Sequence, residues 1–226
     1  MSYFTKDFIK FFTELSENNN REWFKENKER YEKSVKEPFY NLVSEIITRI
    51  SFDDPTIMHE AKDVIFRIYR DTRFSKDKTP YKLHASAAIS SIGKAAMNDP
   101  GFYFELNHTV INFYCGMYMV DKDGVARIRN HIAHNMKQFD SILKTKKFKE
   151  LFGGKILGEK SKRLPKEFTE AALKQPLIYN TQFYVHGQLD NSKILDKKLP
   201  DIIMKHYQAS RELIDFFKVA MKRSNS

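Results

Sequence analysis

The chain has 226 residues, 41% of them hydrophobic, 30% charged and 14% aromatic. That length supports a core without disulfide or metal staples, and the aromatic content with only eight Gly and seven Pro excludes collagen-like, low-complexity and disordered classes. A single cysteine excludes an intramolecular disulfide framework, and the net charge of +10 points toward nucleic acid, phosphorylated ligands or anionic surfaces.

Thr5 caps a first helix whose Phe8, Phe11, Phe12 and Leu15 fall at the spacing of one buried face. Asn18-Asn19-Asn20 ends it, and Asn20 caps the next. Trp23, Phe24, Tyr31, Val35, Phe39, Leu42, Val43, Ile46 and Ile50 continue the helical spacing. Pro38 lies inside that run, so a kink or two helices are expected, over 20–36 and 38–51. The middle of the chain reads as strands over 64–69, 85–91, 101–106 and 110–119, the last two forming a hairpin around Asn107-His108-Thr109. Asn98-Asp99-Pro100-Gly101 is a further turn. A helix then runs from Asp121 or Asp123 to about Phe139, carrying Val125, Ile128, Ile132 and Met136. Short helices over 140–152 end at Gly153-Gly154, another covers 165–173, and 181–189 alternates as a late strand. From Leu199 a C-terminal helix runs on, and Arg223-Ser224-Asn225-Ser226 is expected to fray. With no repeat and no long linker, residues 1–226 read as a single α+β domain. Its sheet is mostly antiparallel, with N-terminal helices, a middle helix after a hairpin and a C-terminal helix.

The positive charge sits in two blocks. Residues 62–82 hold seven basic against three acidic residues, and 137–166 hold ten against three. The second block is mostly lysine and reads as a solvated face. The first contains RIYRDTRFSKDKTPYKLH over 67–84. Its cations are Arg67, Arg70, Arg73, Lys76, Lys78 and Lys82, interleaved with Asp71, Asp77 and the rings of Tyr69, Phe74 and Tyr81. Arginine grips phosphate or carboxylate through a two-pronged contact, whereas lysine acts as a point charge. An anion site at this loop is the expectation, with Arg67, Arg70, Arg73, Lys76, Lys78, Tyr81 and Lys82 as ligand-binding residues. Arg70, Arg73 and Lys82 converge on the anion in this reading, Tyr81 closes the pocket and Asp71 holds an arginine. The alternative is a loop stapled by its own Arg–Asp pairs.

Three segments carry a resemblance. Asn19-Asn20-Arg21-Glu22-Trp23-Phe24, the run from Arg67 to Lys82, and Pro100-Gly101-Phe102-Tyr103 resemble the DUF2461 family, a bacterial and fungal family of unknown function. Gly116-Met117-Tyr118, Ile128-Arg129 and Lys162-Arg163-Leu164-Pro165-Lys166 fit further places of the family pattern, with Glu167 where a glycine is expected. The resemblance covers nearly the whole chain. It implies a single α+β domain and brings no activity, substrate or cofactor with it.

Other constellations carry less. Trp23 and Phe24 read as core, and Arg129 as a surface charge. His131 and His134 have a spacing a metal can use, yet no carboxylate or cysteine accompanies them, so no metal is expected. Cys115 lies among Phe113, Tyr114 and Met117 and reads as a buried, inert thiol. Glu60-Ala61-Lys62 has a nuclease-like look without a partner acid. Phosphate-binding, dinucleotide and nucleophile-elbow motifs are absent. The expected function is binding of a phosphate- or carboxylate-bearing small molecule at 67–84. Two alternatives stay open: an enzyme on such a substrate with Asp71 or Asp77 as acid/base, and sequence-independent nucleic-acid binding. Cofactor and oligomeric state are not specified. The expected compartment is the cytoplasm, with no membrane partner.

Overall fold

The computed structural model describes residues 2–94 and 99–222. Helix α1 (Lys6–Glu17) starts where the Thr5 side chain accepts from the Asp7 N–H, and it buries Phe8, Phe11, Phe12 and Leu15. Helix α2 (Arg21–Glu26) starts at Asn20, whose side chain accepts from the Trp23 N–H. The helix expected over 20–36 is then interrupted at Asn27. Its amide donates to the Trp23 carbonyl at 3.0 Å, a local bond that competes with the helical ladder. Helix α3 (Lys28–Tyr31) and a π-turn, Glu32–Lys36, lead into α4 (Glu37–Asp53). Pro38 stands in the first turn of α4, where its missing N–H costs nothing. The Glu37 N–H just before it reaches back five residues to the Glu32 carbonyl. The helical backbone therefore runs on through Pro38, with a π-turn before it in place of the expected division into helices over 20–36 and 38–51.

The sheet comprises β1 (His84–Ile89), β2 (Gly101–Asn107), β3 (Val110–Met117) and β4 (Phe183–Asp190), antiparallel and in that order. In β2 Phe102, Phe104 and Leu106 are buried while Tyr103 and Glu105 occupy the other face, as period two requires. Asn107 turns the hairpin: its Oδ1 accepts from the Thr109 and Val110 N–H groups, each at 2.8 Å.

The expected strand over 64–69 is a correction. Val64 closes a short helix, α5 (Ala61–Val64). Beyond Val64 the chain forms a broken ribbon held by two isolated antiparallel bridges, Ile65 with Ala87 and Tyr69 with Tyr81. Four residues separate the bridges on one side and six on the other, so the register slips by two and no continuous ladder forms. The β-branched and aromatic composition marks an extended chain correctly, but composition does not fix register.

Helix α6 (Lys122–His134) starts at Asp121, which accepts from the Gly124 N–H at 2.6 Å. It stops short of Phe139 because Asn135 leaves the helical region (φ −129°, ψ 35°), and α7 (Met136–Lys144) begins anew. Helix α8 (Lys146–Phe152) ends at Gly153 in the left-handed region, as the Gly153-Gly154 pair suggests. A 3-10 turn, Lys166–Phe168, precedes α9 (Thr169–Lys174). Glu167 lies inside that turn, where glycine is not required. The C-terminal helix is α10 (Leu199–Met221). Asn98 and Arg223–Ser226 lie outside the described residues.

The fold is α+β, and its residues group into two compact units. One comprises Met1–Ile89, Tyr103–Asn112 and Gln188–Lys205; the other Ser90–Phe102, Phe113–Gly187 and His206–Ser226. In the first, Phe11 and Phe24 both meet Tyr31, with ring centres 5.7 and 5.3 Å apart, and Phe39 of α4 meets Phe104 of β2 at 5.9 Å. In the second, Phe113 stacks on His206 at 3.8 Å and Phe139 on Phe216 at 5.2 Å. Among the described residues no helix is long and apolar enough to cross a membrane.

Candidate anion site

The ribbon that carries the basic loop is fastened to α2 and the turn before it. Asn19 does this through both ends of its amide: Oδ1 accepts from the Tyr81 N–H at 3.1 Å, and Nδ2 donates to the Tyr81 carbonyl at 3.0 Å. The side chain thus imitates a neighbouring strand. The Tyr81 ring stacks on Phe24 at 4.0 Å and is 5% exposed. Burial pushes its hydroxyl pKa up. Tyr81 is therefore an anchor of the loop packed into the protein. Trp23 contacts Phe11 at 5.6 Å and is half-buried, and Phe24 is core.

The loop's cations divide into two groups. Arg73 is closed by Asp71 through a fork, Nε to Oδ1 at 3.0 Å and Nη2 to Oδ2 at 2.7 Å. Arg70 is closed by Asp77 and by the Thr79 side chain and carbonyl. Lys78 donates to the Thr72 carbonyl at 2.8 Å. The loop tip is thus stapled by its own Arg–Asp pairs. The Arg73 guanidinium holds Asp71 down at about 2, and the Thr79 N–H with Arg70 holds Asp77 at about 2. Both carboxylates are ionised near neutral pH, the opposite of what a general acid needs. Lys76 is exposed and makes no ion pair among the described residues.

Arg67 and Lys82 form the second group, and neither has a carboxylate within ion-pair distance among the described residues. Arg67 is exposed; Lys82 is half-buried, its ammonium 5.0 Å from the centre of the Phe66 ring. Burial lowers the Lys82 pKa, the Arg67 charge lowers it further, and Glu105 opposes both.

Beside Lys82 stands a set of side chains that sequence reasoning did not single out. His84 Nε2 is 3.5 Å from Glu105 Oε2. Glu105 is fixed by two donors: Asn112 Nδ2 to Oε1 and the Tyr103 hydroxyl to Oε2, each at 2.8 Å. The available signal was the period-two phase of Tyr103 and Glu105 in β2, and of Lys82 and His84. That phase is also the ordinary signature of a solvated sheet face. Pairing across β1, β2 and β3 is what brings the residues together.

A family model described as "Conserved hypothetical protein (DUF2461)" matches residues 7–216. The chain belongs to the DUF2461 family. No curated protein matches it. The matched span includes Asn19, the whole basic loop, His84, Glu105 and Asn112.

Elsewhere in this DUF2461 member, Arg129 corrects its expected surface position. It is 6% exposed, and its Nη2 donates to Ser161 Oγ at 2.7 Å and to the Tyr179 and Asn180 carbonyls at 3.3 and 3.2 Å. It lies on the α6 face that also buries Val125, Ile128 and Ile132, so the helical phase includes it. His131 packs on Phe216 at 4.4 Å, and His134 Nδ1 lies 2.8 Å from the Asn130 carbonyl. Among the described residues no group of three or more His, Cys, Asp or Glu could hold a metal ion. Glu60 caps α5 reciprocally with Asp63, and Lys62 pairs with Glu60 at 2.6 Å. Cys115 is buried, and burial pushes its thiol up to about 12. Desolvation therefore disfavours the thiolate, the reactive form. A thiol reagent is expected to label Cys115 only after denaturant is added; rapid labelling of the native protein would contradict this burial.

Proposed function

We propose that this protein binds a phosphate- or carboxylate-bearing small molecule, with Lys82 and Arg67 as the contacting cations. The observation that carries the reading is Lys82: its ammonium is half-buried over the Phe66 ring, 5.0 Å from its centre, with no carboxylate in ion-pair contact among the described residues, and Arg67 is carried by the facing arm of the same ribbon. Like charges so placed repel, and an oxyanion between them turns repulsion into two charge-assisted contacts. Asp71 and Asp77 occupy Arg73 and Arg70, so these four residues give the loop its shape. Tyr81 holds the loop to Phe24 and Asn19. Binding of this kind belongs to a cytoplasmic protein that keeps its one thiol reduced.

The test is titration with inorganic phosphate, followed by calorimetry and NMR. Lys82→Met is expected to weaken binding by roughly ten- to a hundredfold, the worth of one charge-assisted contact. Arg67→Gln is expected to weaken it by about tenfold. The charge-neutral double variant Asp71→Asn/Arg73→Gln should leave affinity within about twofold. A Lys82→Met protein that folds and binds phosphate like the parent would overturn the reading. A double variant that loses as much affinity as Lys82→Met would return the site to the loop tip.

A further inference from the structure

The half-buried sheet face beside Lys82 carries an imidazole. His84 lies two residues after Lys82, where the ribbon enters β1. The charged groups that act on it are Glu105 from β2, held by Tyr103 of β2 and Asn112 of β3, and Lys82 from the ribbon, whose own ammonium feels Arg67 and Glu105. Asn112 and Tyr103 hold the Glu105 carboxylate at both oxygens, which keeps Oε2 beside the imidazole.

We propose that His84 is a proton-responsive member of the anion site: an oxyanion seated at Lys82 and Arg67 draws a proton from solvent onto His84. The inference rests on the anion site proposed above and adds to it a third, conditional cation. Its basis is the geometry around the imidazole: Glu105 Oε2 lies 3.5 Å from His84 Nε2, held there by Tyr103 and Asn112, and the half-buried Lys82 stands two residues before His84 on the same arm of the ribbon. In the anion-free protein, burial and Lys82 both oppose an imidazolium at His84, and Glu105 favours one. Seating an oxyanion at Lys82 cancels the opposing charge and leaves Glu105 and the ligand on the same side of the balance. His84 then gains a proton, and no covalent bond other than N–H forms. By linkage, whatever favours the proton also favours the anion. Affinity should therefore rise as pH falls through the pKa that His84 has in the complex. A ligand that keeps its full negative charge in mildly acidic solution gains most.

Sulfate is the probe, because its charge is constant between about pH 5 and 8. The parent is expected to bind sulfate roughly tenfold more tightly near the acid end of that range than near the basic end. His84→Gln should bind at every pH with the parent's basic-end affinity, and Lys82→Met should bind roughly ten- to a hundredfold more weakly throughout. In the unsubstituted protein, NMR titration of the His84 ring protons should give a higher pKa with saturating sulfate than without. That measurement does not depend on any variant folding. Glu105→Gln should move the pH response to more acidic values. Sulfate binding that depends on Lys82 but not on pH, or a His84 pKa unmoved by sulfate, would overturn this inference and leave the anion site intact. Absence of sulfate binding to the parent at any pH would overturn both.

Discussion

Replacing Arg129 with methionine is expected to cost about 3 kcal/mol of stability. The side chain runs from α6 to three acceptors, Ser161 Oγ and the carbonyls of Tyr179 and Asn180, at 2.7 to 3.3 Å. Asn180 is itself 1% exposed, so its carbonyl has little recourse to solvent once the guanidinium is gone. Methionine fills similar volume and removes a buried charge, and burial already lowers the Arg129 pKa. That relief offsets part of the loss. It does not offset all of it, because the buried Asn180 carbonyl is stranded, at about 1–3 kcal/mol, and Ser161 Oγ loses its donor, while the Tyr179 carbonyl keeps the Ser161 N–H at 2.8 Å. For a chain of this size, the loss corresponds to a fall in Tm of about 6–12 °C. Arg129→Lys should recover part of it, since an ammonium keeps the charge and three donors but lacks the planar reach of the guanidinium. Urea unfolding monitored by circular dichroism measures both. An unchanged midpoint for Arg129→Met would mean that the Asn180 carbonyl and Ser161 Oγ are satisfied without the guanidinium.

Arg129 also marks where sequence reading stops. Its phase along α6 is that of Val125, Ile128 and Ile132, yet an arginine on an apolar stripe reads most simply as a stem lying along the surface. Only the carbonyls supplied from 161–180 decide the matter, and those come from a distant part of the chain. Helices with wide apolar stripes and side-chain caps were legible because both signals are local. Thr5 with Phe8, Phe11, Phe12 and Leu15 marked α1, Asn20 marked the start of α2, and Asp121, one of two candidates with Asp123, starts α6. Asn27 and Asn135 were missed as interruptions because the apolar spacing on either side runs through them.

The candidate site shows the same division. Local composition marked the segment 67–84, and local Arg–Asp spacing allowed the staples at Arg70 and Arg73. Which cations the acids would take up was not legible, because the fork between Asp71 and Arg73 depends on the turn the chain makes. The anchoring of Tyr81 by Asn19 joins residues 62 positions apart, and Glu105 meets His84 through strand pairing. Both are products of register.

The second large effect is expected at Gly116 in β3. Its φ is +113°, a conformation in which L side chains are strained. A Cβ there would lie 3.1 Å from Tyr184 Cα and closer still to the Phe183 carbonyl oxygen. Both atoms belong to the backbone of β4, so neither can rotate away, and relief requires the two strands to separate. Gly116→Ala is therefore expected to destabilise by about 4 kcal/mol, the combined scale of backbone strain and overpacking. Gly153 is the control. It also has positive φ, +70°, but a Cβ there meets nothing within 4 Å. Gly153→Ala should cost only the left-handed penalty of about 1 kcal/mol. Comparing the two by urea unfolding separates the contact from the conformation. Equal losses would show that the approach of β4 contributes nothing at Gly116, and that the strands yield to a methyl group without cost.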